Sequence, residues 1–73
     1  MAEAGDPMVQ KISEVVGVSK ESFAAAAQDA VQTASKSLRN LKWFRATEFE
    51  GAVKNGKIVE YHTTVRLYFD YEE

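Results

Sequence analysis

Seventy-three residues suffice for one domain, and a domain this small buries a low fraction of its unfolded surface, so its own core contributes little net stability. The absence of Cys and the single His nearly exclude disulfides and structural metals as helpers, which leaves oligomerisation. Nine Lys and Arg against eleven Asp and Glu give a net charge of -2, so the basic footprint needed for nucleic-acid binding is missing.

Residues 1–7 (MAEAGDP) are small and apolar-poor and end on Pro7, the pattern of a flexible tail; the domain is expected to span 8–73. Val9, Ile12, Val15 and Val16 supply β-branched residues to a first strand that is expected to end at Gly17. Ser19 then offers a side-chain oxygen as cap for a helix over about residues 20–39, with Glu21 in its first turn and Lys36 and Arg39 in its last. Asn40 suits a left-handed stop. Phe23, Ala27, Ala30, Ala34 and Leu38 recur at spacings of four and three and form one apolar stripe. Most of that stripe is Ala, so another backbone can approach closely while little area is buried, again a reason to expect assembly.

From Leu41 onward two β-rich runs flank Asn55-Gly56, a dipeptide suited to the positive φ angles of a two-residue hairpin. After the turn Val59, Tyr61, Thr63, Val65, Leu67, Phe69 and Tyr71 alternate with polar residues, so this face is expected to meet the helix. Counting back from the tip on a regular ladder sets Phe49 opposite His62, Thr47 opposite Thr64, Arg45 opposite Arg66 and Trp43 opposite Tyr68, all on the other, mixed face. A bulge would shift this register beyond its position. The element order is β-α-β-β, an α+β fold.

Little in the chain supports catalysis. There is no thiol, no motif joins the lone His62 to a Ser or Thr nucleophile, and Glu48, Glu50 and Glu60 read as solvated strand charges. The reading is therefore a non-enzyme with no catalytic and no metal site. Gly17, Gly51 and Gly56 stand alone and make no phosphate loop. No run approaches the roughly 20 apolar residues of a membrane helix, and the first residues lack a signal-peptide pattern, so the expected location is cytoplasmic, with neither membrane nor nucleic-acid partner. Trp43 remains, on the mixed face with Arg45, Arg66 and Tyr68 as expected neighbours. Its indole either stacks on a flat, electron-poor ring or fills a core or subunit contact.

The segments 17–23 (GVSKESF), 35–44 (SKSLRNLKWF) and 55–61 (NGKIVEY), in this order and with these gaps, resemble the dodecin family over roughly residues 8–71. The resemblance implies a three-stranded antiparallel sheet wrapped around one helix, twelve copies in a hollow shell, and flavins stacked between Trp side chains at subunit contacts, for storage rather than turnover. By position, Trp43 would stack on the flavin (FMN or riboflavin, with FAD also admissible), and His62 would contact the edge of the isoalloxazine. The chain departs from the family where Gln is usual at His62 and Gly at Tyr68, and where bacterial members commonly carry Arg at Glu50 and Asp70. Two carboxylates in place of two cations disfavour a ligand phosphate, while Arg45 and Arg66 offer compensation. The alternative reading is a shell of the same fold that binds no flavin or takes another flat ligand.

Overall fold

The computed structural model describes residues 9–71; the expected tail, 1–7, lies outside them. The chain runs β1 (Gln10–Ser19), α1 (Phe23–Ser35), β2 (Leu41–Lys54) and β3 (Lys57–Asp70). The strands form one antiparallel sheet in the order β1-β3-β2, so the last strand is central. The expected β-α-β-β order and α+β class stand.

The hairpin turn follows from its dipeptide: Asn55 and Gly56 adopt φ of 53° and 76°, and Lys54 pairs with Lys57 as counted from the tip. Asn40 is left-handed as well, with φ 62°. It stands immediately before β2 rather than at the end of α1, which closes at Ser35 through a turn in which the amides of Ser37 and Leu38 donate to the Ala34 carbonyl.

Both expected boundaries of the helix were too wide. Its cap is Ser22, whose Oγ accepts from the Ala25 amide at 2.9 Å, while Ser19 Oγ accepts from the Glu21 amide at 2.9 Å and shapes the preceding turn. Two serines three residues apart competed for one role, and the later one leaves room for β1 to run on to Ser19. Gly17 accordingly lies inside β1, not at its end. There a Cβ would stand 1.8 Å from the Ala26 carbonyl oxygen and 3.0 Å from the Ala30 Cβ, so the missing side chain is what lets α1 rest on the strand.

The core lies between α1 and the sheet. Ala26, Val65 and Leu67 are fully buried and Ala30 nearly so, with Val15, Ala27, Val31, Ala34, Leu38, Leu41 and Ala46 packed around them. Ala26, absent from the expected stripe, is its deepest member because it faces Gly17. Buried Thr63 satisfies its hydroxyl by donating to the Phe23 carbonyl at 2.9 Å, which pins the start of α1 to the central strand.

Three irregularities interrupt the register of β2 against β3, one between Leu41 and Trp43 and two further along that compensate each other. The pairing shifts between Ala52 and Val53 and back between Ala46 and Glu48, where Thr47 has no partner of its own and its Oγ1 donates to the Thr64 carbonyl at 3.3 Å. Glu50 therefore faces His62 and Glu48 faces Thr64, whereas Arg45 still faces Arg66 and Trp43 still faces Tyr68. Phe49 moves to the helix side and packs edge-on against Phe23, their ring centroids 5.4 Å apart. Tyr61 meets Phe23 in the same way at 5.0 Å. The pull of this aromatic cluster, together with the Thr47 hydroxyl, accounts for the local departure from regular alternation.

Large apolar side chains remain open on both faces: Ile12, Val16 and Val18 on β1, Phe44 and Phe49 on β2, and Val53, Ile58 and Val59 near the hairpin. A core of two alanines, one valine and one leucine is too small to offset the backbone entropy of a lone domain. Light scattering at micromolar concentration is expected to show an oligomer and no monomer peak; a dominant monomer would overturn this argument from the exposed surface.

Candidate ligand-stacking site

On the sheet face away from the helix, cross-strand pairing builds rows of three. Ile12, Tyr68 and Trp43 form one row and Glu14, Arg66 and Arg45 the next, with Gln10 and Asp70 paired on the other side of the first. Each residue reaches this face because strand side chains alternate and the irregularity at Thr47 lies beyond these rows.

Trp43 is 46% exposed, a large fraction for an indole. Its ring lies nearly parallel to that of Tyr68, with centroids 4.1 Å apart and an interplanar angle of 12°. Nε1 donates to Gln10 Oε1 at 3.4 Å, and Gln10 Nε2 donates in turn to Asp70 Oδ1 at 3.2 Å. The Arg45 guanidinium lies over the indole, 5.9 Å from its centroid. Arg45 and Arg66 are direct cross-strand partners, an unfavourable arrangement that Glu14 relieves through a contact of 3.6 Å from Oε2 to Arg66 Nε. Both groups of that pair are about half exposed, so it contributes little energy and leaves the arginines available to an anion.

His62 lies elsewhere. Six residues along β3 separate it from Tyr68, roughly 20 Å at strand rise, so one chain does not bring Trp43 and His62 onto one flat ring. Its Nε2 donates to the Glu60 carboxylate oxygen Oε1 at 2.9 Å. The sequence-selected residues thus fall into two groups: Trp43, Arg45, Arg66 and Tyr68 together, and His62 with Glu60 and Glu50 further along the sheet.

Gln10 and Glu14 were missed from the sequence, because only the pairing of β1 with β3 puts them beside Trp43 and Arg66. Glu60 carried a visible signal, since residues two apart on a strand share a face. A cavity of about 580 Å³ lies between α1 and β1 and is lined by Val15, Gly17, Ala30, Thr33 and Leu38 among others; no aromatic ring is in its lining. Among the described residues no group of three His, Cys, Asp or Glu is placed to hold a metal ion, and no helix is long and apolar enough to cross a membrane.

A sheet covered by its helix on one side and carrying aromatic and charged side chains on the other defines a class, the small α+β binding subunit that completes its surfaces by assembly. The dodecin family model matches residues 9–72, and the chain belongs to that family. Its members are small non-enzymatic binding proteins, and the family is known to form oligomers.

The chain is 38% identical over 65 residues to the dodecin of Thermus thermophilus, covering 89% of this chain and 94% of that one. It is similar in structure to the dodecin of Streptomyces coelicolor, with a TM-score of 0.86, 33% identity and coverage of 90% and 94%. It is also similar to a calcium-chelating dodecin of Mycobacterium tuberculosis that has a calcium-binding site, with a TM-score of 0.75, 32% identity and coverage of 88% and 91%.

Proposed function

We propose that this protein binds and stores flavin, without turnover, in a dodecameric shell in which Trp43 stacks on the isoalloxazine at subunit contacts. The observation that supports this most directly is an indole left 46% exposed on the bare sheet face, beside two arginines. His62, Arg45 and Arg66 complete the proposed contacts, and Tyr68 lies against the indole itself. His62 lies too far along its strand to share a ring with Trp43 of the same chain, so Trp43 and His62 on any one flavin come from different subunits.

The charges set the preference among flavins. Glu50 and Asp70 repel a phosphate, whereas Arg45 and Arg66 attract one, and the two effects are of similar size at exposed positions. FMN is therefore expected to bind within about threefold of riboflavin, a difference of roughly 0.6 kcal/mol. Titrating riboflavin, FMN and FAD with apoprotein and following flavin emission tests the reading: quenching supports it, and a tenfold preference for FMN would show that the arginines dominate. No quenching by any of the three would favour a shell that binds no flavin. Calcium chelation is named for the Mycobacterium tuberculosis protein.

A further inference from the structure

Trp43 starts from edge strand β2, and its Nε1 meets Gln10 on the opposite edge strand, β1, at 3.4 Å. The indole therefore lies across the central strand. Gln10 pairs with Asp70, the next same-face residue of β3 beyond Tyr68, so the indole reaches toward that row, with Tyr68 stacked on one of its faces and the Arg45 guanidinium 5.9 Å from its centroid. At 4.1 Å between centroids and 12° between planes, the two rings are in van der Waals contact, and nothing fits between them. A ligand ring stacked on both would need them about 7 Å apart, twice the usual stacking distance, while they are anchored on strands only about 4.8 Å apart.

We propose that Tyr68 is an internal occupant of the stacking site: its phenol covers one side of the Trp43 indole, and a flat ligand that uses that side must first displace it. The inference rests on the flavin-stacking reading for the identity of the ligand, but not for the cover itself. Tyr68 then lowers affinity on that side and selects for ligands that stack more strongly than a phenol, because each binding event there exchanges one aromatic contact for another. Flavin, with three fused rings, has more area to stack than one phenol, so binding is weakened rather than abolished.

The test compares the wild type with Tyr68→Val, which keeps a β-branched residue in the central strand while removing the ring, and with Tyr68→Phe, which keeps the stack and removes only the hydroxyl. Light scattering checks that all three assemble alike. Trp43 is the only Trp, so quenching of its emission by acrylamide reads the exposure of this one ring. In Tyr68→Val the quenching constant is expected to rise about twofold and riboflavin and FMN affinity about three- to tenfold, the range of one aromatic pair, with Tyr68→Phe unchanged in both. An affinity equal to or below wild type in Tyr68→Val would overturn the proposal, since Tyr68 would then be a platform or a bystander. If none of the three proteins binds flavin but acrylamide reaches Trp43 better in Tyr68→Val, the cover stands and only the flavin reading fails. If none binds and quenching is also unchanged, the cover fails too.

Discussion

Trp43→Ala is expected to weaken flavin binding by at least about 30-fold, the effect of losing a binding hot spot worth roughly 2 kcal/mol, while the assembly persists. The indole is 46% exposed and is held by Tyr68, Gln10 and Arg45, so its removal leaves no buried cavity. The chain's own loss is one stacked pair and one long hydrogen bond at an exposed site, together about 1–2 kcal/mol. The ligand's loss is the face on which it lies. Fluorescence titration alongside light scattering separates the two. Binding retained within a factor of two would remove Trp43 from the site, and disappearance of the oligomer would instead make the indole an assembly contact.

Gly17→Ala is expected to be the most damaging single-methyl change in the chain. The added Cβ would stand 1.8 Å from the Ala26 carbonyl oxygen and 2.7 Å from its carbon, both backbone atoms that cannot rotate away. Relief requires lifting α1 off β1 by more than an ångström, which would unseat Ala26 and Ala30, half of the buried core. A cost of about 3 kcal/mol, at the upper end for overpacking, is a large part of the stability available to a domain this small. Chemical denaturation followed by circular dichroism should show the midpoint collapse, or the variant should fail to accumulate in soluble form. Gly56→Ala is the control. Its Cβ meets nothing within 4 Å, and only the φ of 76° is strained, for about 1–2 kcal/mol. Equal losses in both variants would mean that close helix packing is not what Gly17 provides.

Where interactions are local, the sequence by itself determined the structure. Asn55-Gly56 set the hairpin because only residues tolerant of positive φ close a two-residue turn, and counting outward from it placed Arg45 opposite Arg66 and Trp43 opposite Tyr68. The alternation of Thr63, Val65 and Leu67 marked the buried side of β3. The Ser35 to Phe44 stretch, with its Trp, carried the family resemblance that the match over residues 9–72 bears out.

Only the tertiary structure decided the features that depend on which elements meet. Ser19 and Ser22 are chemically equivalent as caps, and the choice fell to Ser22 because β1 continues to Ser19. Gly17 read as a strand end, yet it is a strand interior cleared for a helix backbone. The paired irregularities near Val53 and Thr47 moved Phe49 across the sheet and brought Glu50 to His62, because packing two aromatic rings against Phe23 outweighed regular alternation over a few residues. Gln10 and Glu14 joined the candidate site through the pairing of the first strand with the last, a contact between residues more than fifty positions apart that no local pattern encodes. The parallel stack of Tyr68 on Trp43 belongs to the same category: facing positions were readable from the hairpin, but whether two facing rings turn toward each other or toward solvent is settled by side-chain packing alone.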